Sequence, residues 1–84
     1  MISFEKDAFV EYRQWAEDDI KIFRKINNLI NEIIRDPFHG SGKPEPLKEN
    51  LAGHWSRRIN QEHRLVYKVL PEHIIITSCK FHYK

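Results

Sequence analysis

LAGHWSRRINQEHRLVYKVLPEHIIITSCKFHY, Leu51 to Tyr83, decides the fold. Three runs rich in β-branched and aromatic residues, LAGHWSRRI, RLVYKVL and IIITSCKFHY, are joined by the short polar links NQEH and PEH. Such runs, so linked, read as an antiparallel meander of three strands. Alternation then assigns their faces. With Leu65, Tyr67 and Val69 inward, Arg64, Val66 and Lys68 point to the open face. In the preceding run Trp55 and Ile59 are inward, Arg57 shares their side by parity, and Ser56, Arg58 and Asn60 point outward. In the last run Ile75, Thr77, Cys79 and Phe81 are expected inward, leaving Ser78, Lys80 and His82 outward. The expected open face therefore gathers Arg58, Arg64, Lys80 and His82.

Upstream the periodicity changes. Ile2 and Phe4 alternate with polar neighbours as a short first strand would. Ala8, Phe9, Tyr12, Trp15 and Ala16 fall at helical spacing. The pair Asp18-Asp19 can end that helix and cap the next, because aspartate accepts hydrogen bonds from free N–H groups. Ile20, Phe23, Ile26, Ile30, Ile33 and Ile34 make a second amphipathic helix, which Asp36-Pro37 stops. The loop DPFHGSGKPEP follows, with two glycines and three prolines in eleven residues. The expected fold class is α+β, in the order β-α-α-β-β-β: a twisted, mainly antiparallel sheet with a helical hairpin on one face.

Eighty-four residues without a long linker are read as a single domain, residues 1–84. Its core is small, so a dimer or a tight partner is expected to add stability. The single cysteine, Cys79, excludes an internal disulfide. The five histidines are scattered, with no pair at metal-ligand spacing, so neither metal nor cofactor is expected. The longest apolar run, Ile74 to Ile76, is far too short to span a bilayer, and the first residues lack an apolar signal core. A cytoplasmic protein with no membrane partner is expected. Charge is uneven: residues 1–40 hold six Lys/Arg against eight Asp/Glu, a balance of −2, and residues 41–84 hold eight against four, a balance of +4. A cationic half fits a polyanionic partner, although charge alone does not decide the matter.

A basic face with a histidine, beside a carboxylate held between two prolines in GKPEPLK, has the parts for RNA cleavage without metal. Attack of a ribose 2′-hydroxyl on its own phosphodiester needs a base, cations around the charged transition state, and an acid for the leaving 5′-oxygen. Glu45 can be the base, Arg58 and Arg64 the phosphate clamp, and His82 the acid. Tyr83 can stack on a base or bind phosphate, and Lys48 can steer the RNA. Each residue also has a plainer reading. Glu45 can sit in a stiff soluble turn, Arg57-Arg58 at a solvated edge, His82 at an unconstrained terminus, and Trp15 and Trp55 in the core.

The run PFHGSGKPEPLKENLAGHWSRRINQEHRLVY, with YRQW and KINNLI before it and CKFHY after it, closely resembles the YoeB toxins of the RelE/ParE superfamily. The resemblance covers nearly the whole chain. It implies a ribosome-dependent mRNA endonuclease that cuts codons in the ribosomal A site and so inhibits translation. It implies Glu45 as general base, Arg64 as transition-state stabiliser and His82 as general acid, with Lys48, Arg58 and Tyr83 contacting RNA. The implied partners are a YefM-like antitoxin, the ribosome with its mRNA, and operator DNA reached only through the antitoxin, the pair repressing its own operon. A homodimer fits both the likeness and the small core. One departure is Lys84, which follows the His-Tyr pair where the usual chain ends. The competing readings are a ParE-like gyrase inhibitor, which lacks the Glu/Arg/His set, and a non-catalytic corepressor module.

Overall fold

Asp19 is the joint of the helical layer. In the computed structural model, which describes residues 1–81, α1 (Lys6–Asp18) ends and α2 (Ile20–Arg35) begins at this one residue. Its N–H donates to the Trp15 carbonyl, closing α1, while its carboxylate accepts from the N–H groups of Lys21 and Ile22, opening α2. Such a cap stabilises a helix by about 1 kcal/mol. From α2, Ile26, Leu29, Ile30 and Ile33 are buried, the spacing of a single helical stripe. Ile20 and Ile34 lie off that stripe and are exposed. Asp36 ends α2, as the following proline requires.

The helices cover a five-stranded mixed sheet made of β1 (Ile2–Phe4), β2 (Glu45–Pro46), β3 (His54–Arg58), β4 (Arg64–Leu70) and β5 (His73–Ser78). Its order is β1-β5-β4-β3-β2, with β1 parallel to β5 and every other pair antiparallel. The fold is α+β, as expected, with one addition. Two residues of the proline-bounded loop pair with β3 as an edge strand. The N–H of Leu47 donates to the His54 carbonyl, so alternate N–H groups of this segment face β3 and the position of Pro46 faces away. A proline there removes no ladder bond, and edge strands tolerate it for that reason.

Side assignments hold in β3 and β4, although Ser56 and Val66, expected on the open face, are buried there, and they fail in part of β5. Leu65 and Tyr67 are fully buried, Ile59 is buried, and Trp55 and Val69 pack on the core. In β5, however, Ile74 and Ile76 enter the core, where Ile75 and Thr77 were expected. Tyr67 pairs with Ile76 and Val66 with Ser78, so Thr77 is the extra residue of a bulge, its hydroxyl donating to the Val66 carbonyl. A bulge shifts the alternation by one, which returns Cys79 to the core as expected. Phe81 is exposed rather than inward. Lys80 also departs from expectation: its Nζ lies 5.6 Å from the Trp15 ring centre, over a residue of α1. It does not belong to the basic face. The readings on His82, Tyr83 and Lys84 lie outside the described residues.

One buried cation ties the layers together. Arg57, on the core side of β3, is completely buried. Its Nε donates to the Tyr67 hydroxyl, Nη2 to the carbonyls of Asp36 and His39, and Nη1 to that of Ser41. Glu32 of α2 lies 3.6 Å from Nη1, and the Tyr67 hydroxyl donates in turn to the Pro37 carbonyl. The guanidinium thus gathers the end of α2, residues 36–41 and β4. The planar fork of arginine satisfies these acceptors together, whereas a lysine ammonium presents a single point. Removing it leaves the buried Tyr67 hydroxyl and the part-buried carbonyls of Asp36, His39 and Ser41 without their donor. Arg57→Ala is expected to lose about 3 kcal/mol or more in urea denaturation, and Arg57→Lys to recover little of it. A loss below about 1 kcal/mol would contradict this role.

Candidate RNA-processing face

The strand register sets out the site. Glu45 lies opposite Ser56, Ser56 opposite Val66, and Val66 opposite Ser78, one row across β2, β3, β4 and β5. Directly paired residues share a face, so all four project away from the helices. Two residues along, Arg58 pairs with Arg64 on the same side. From strand spacing, the Cα atoms of Glu45 and Arg64 lie about 12 Å apart, two strands across and two residues along. Two long side chains can meet an object placed between them at that separation. Glu45 and Arg58 are exposed.

The backbone under Glu45 is held at both ends. Behind it, the Gly42 carbonyl accepts from the Arg58 N–H at 2.6 Å. Gly42 has φ +82, and a Cβ there would fall 2.9 Å from the Arg58 carbonyl oxygen, so only glycine fits. Ahead of it, the Leu47 bond to His54 closes the short ladder. Lys48 precedes a 3-10 turn (Glu49–Leu51) and lines, with Glu45 and Pro46, a shallow depression of about 360 Å³.

Arg64 is oriented by the β3–β4 turn. Its Nη1 donates to the carbonyls of Asn60, Gln61 and His63. Its backbone N–H donates to the Phe81 carbonyl at 3.0 Å. The C-terminal segment is also tied to α1, through Cys79: its N–H donates to the Glu11 carboxylate, and its carbonyl accepts from the Trp15 indole. The Cys79 thiol is no nucleophile. Burial, then the neighbouring Glu11 carboxylate, pushes it up to about 12.

Glu45, Arg58 and Arg64 therefore share one face and Lys48 borders it, while His82 and Tyr83 fall outside the described residues. His54 and Lys68, an opposed pair, lie on the same face and were not selected from sequence. The parity that placed Lys68 outward was a signal for it. Among the described residues no three His, Cys, Asp or Glu side chains converge as a metal site requires, and no helix is long and apolar enough to cross a membrane.

Residues 4–83 match the family model described as YoeB-like toxin of bacterial type II toxin–antitoxin system. The chain belongs to that family. It is 52% identical, over 83 residues covering 99% of this chain and 96% of the other, to toxin YoeB of Synechocystis. Among solved structures it resembles a YoeB/ParE toxin from Agrobacterium tumefaciens, with a TM-score of 0.94 and 43% identity over 98% of both chains. It is also similar to the toxin in a YoeB–YefM complex from Staphylococcus aureus, with a TM-score of 0.91 and 50% identity over 99% of this chain and 97% of that one. A YoeB dimer from Staphylococcus aureus superposes with a TM-score of 0.90 at 52% identity, over 98% and 95%. The resemblance read from GKPEPLK, WSRRI and EHRLVY is the one these comparisons return.

The support beneath the site contains two carboxylates held below their ordinary pKa. The Ser41 N–H donates to the Glu32 carboxylate, and this bond, before the more distant pull of Arg57, holds Glu32 below its ordinary value of 4.5. Asp36 is likewise lowered, first by the Phe38 N–H. A carboxylate whose folded pKa is depressed stabilises the fold fully above its unfolded pKa and loses that contribution as pH falls through the folded value. Thermal melts from pH 7 to 3 are expected to show a stability loss beginning near pH 4.5, and Glu32→Gln to flatten it. A variant that loses stability in acid as steeply as wild type would contradict the assignment.

Proposed function

We propose that the protein is the toxin of a type II toxin–antitoxin pair and acts as a ribosome-dependent mRNA endonuclease, cutting in the ribosomal A site. The observation that carries this reading is the placement of Glu45, Arg58 and Arg64 on one open face, on a chain that belongs to the YoeB-like family. The chemistry follows from those groups. Glu45 takes the proton of a ribose 2′-hydroxyl as its oxygen attacks the adjacent phosphorus. Arg64, supported by Arg58, stabilises the negative charge that builds on the non-bridging oxygens by donating N–H hydrogen bonds to them. His82 gives a proton to the departing 5′-oxygen. The new 2′-O–P bond and the broken P–O5′ bond leave a 2′,3′-cyclic phosphate and a free 5′-hydroxyl. This route asks for no metal, because the arginines supply the positive charge. Lys48 and Tyr83 hold flanking nucleotides.

Partners follow from the relatives. The YoeB–YefM complex supports a YefM-like antitoxin for this chain, and the YoeB dimer supports self-association. Operator DNA is reached through the antitoxin, so that the pair represses its own operon. The mechanism is tested by adding the protein to a translating extract and mapping mRNA ends by primer extension. Wild type is expected to cut mRNA on the ribosome and leave cyclic or 3′-phosphate ends. Glu45→Ala, Arg64→Ala and His82→Ala are each expected to cut about 100-fold more slowly, or worse, while still binding antitoxin. Three variants that cut like wild type would overturn the mechanism. Intact mRNA with trapped gyrase–DNA complexes would replace it with gyrase inhibition.

A further inference from the structure

Phe81 has φ +60, the left-handed region that a phenylalanine rarely adopts. Its own side chain does not account for this, being 56% exposed. Two bonds hold its peptide groups. The Phe81 N–H donates to His63 Nδ1 at 2.8 Å, and the Phe81 carbonyl accepts from the Arg64 N–H at 3.0 Å.

His63 is built for that contact. It is 6% exposed, and its ring packs edge-on against Trp15 at 4.8 Å and tilted against Phe81 at 5.4 Å. Its backbone N–H donates to Asn60 Oδ1 at 2.7 Å, and its carbonyl accepts from the Ile59 N–H at 3.0 Å, so the ring has a fixed base. A ring nitrogen that accepts an N–H carries no proton, which places the ring proton on Nε2, 3.5 Å from Glu62 Oε1. An apolar side chain would fill the same space against Trp15. It would leave the Phe81 N–H without an acceptor and the left-handed backbone without its tether.

We infer that His63 is a positioning residue of the RNA-cleaving site: its Nδ1 accepts from the Phe81 N–H and so locks the residue whose carbonyl holds the backbone N–H of Arg64. The inference rests on the reading of Arg64 as catalytic. His63 acts through the backbone and touches no substrate.

The test compares His63→Leu, His63→Asn and His63→Gln in the translating-extract assay, with antitoxin binding, thermal melts and amide exchange at Phe81 measured alongside. Asparagine sets an amide oxygen near the place of Nδ1, whereas glutamine sets its own near Nε2. His63→Leu is expected to fold and bind antitoxin, to lose about tenfold or more in kcat with KM little changed, and to exchange the Phe81 amide faster. His63→Asn is expected to recover most of both readouts and His63→Gln little of either. If the leucine variant fails to fold, Asn above Gln at equal melting temperature supports the inference, and equal cleavage by the two overturns it. Leucine cutting at the wild-type rate also overturns it. If wild type itself cuts no mRNA, the cleavage reading fails instead, and Phe81 exchange still judges the tether: protection unchanged across the variants overturns it.

Discussion

A guanidinium with no exposed surface cannot be left without acceptors, and Arg57 imposes that constraint on the whole chain. The nearest acceptors on β4 and α2 are the Tyr67 hydroxyl and the Glu32 carboxylate, and the remaining N–H groups need backbone carbonyls. The loop after α2 supplies them by turning its carbonyls at Asp36, His39 and Ser41 inward. The path from Asp36 to Ser41 thus follows from satisfying one buried charge. Glu32 reinforces it by accepting from the Ser41 N–H, so the same carboxylate answers both the cation and the loop. Gly42 then passes close against Arg58, and the chain emerges as a two-residue edge strand with Glu45 on the opposite side of the sheet.

The sheet therefore has two sides with different duties. Its helix side carries the apolar core and Arg57, and it also anchors the C-terminal segment through Cys79, Glu11 and Trp15. Its open side carries Glu45, Arg58 and Arg64, whose side chains the core does not need. Each is nevertheless oriented by backbone fixed from beneath or beside it: Glu45 by the edge ladder, Arg58 by Gly42, and Arg64 by three turn carbonyls. This division suits the proposed site, which would meet its substrate without reorganising the fold.

Much of this was legible in the chain. Alternation in RLVYKVL and WSRRI put Arg58 and Arg64 on one face, and parity already sided Arg57 with the core. Asp19 and Asp36 marked the helix ends where the structure has them. Other features left no mark that periodicity can read. The bulge at Thr77 adds one residue just after the run Ile74–Ile76, where all three isoleucines suit either face, so Ile75 was set inward where Ile74 and Ile76 belong. The strand at Glu45–Pro46 hid between prolines, because nothing local tells which side of an edge a missing N–H faces. Lys80 had correct strand parity and still reached Trp15, since the strand ends at Ser78 and alternation ends with it. His63 looked like one scattered histidine among five until its tertiary partners were in view.

The central claim is that the loop pinned by Arg57 presents Glu45 to the same ribose-phosphate that Arg64 grips. The most direct measurement is a structure of the protein on a ribosome whose A-site codon carries a 2′-O-methyl group at the scissile position, which blocks attack. The account predicts the Glu45 carboxylate beside the blocked 2′-oxygen and the Arg64 guanidinium on the adjoining phosphate, with residues 36–42 placed as they are here. A Glu45 carboxylate turned away from that ribose, with Arg64 off the phosphate, would contradict it.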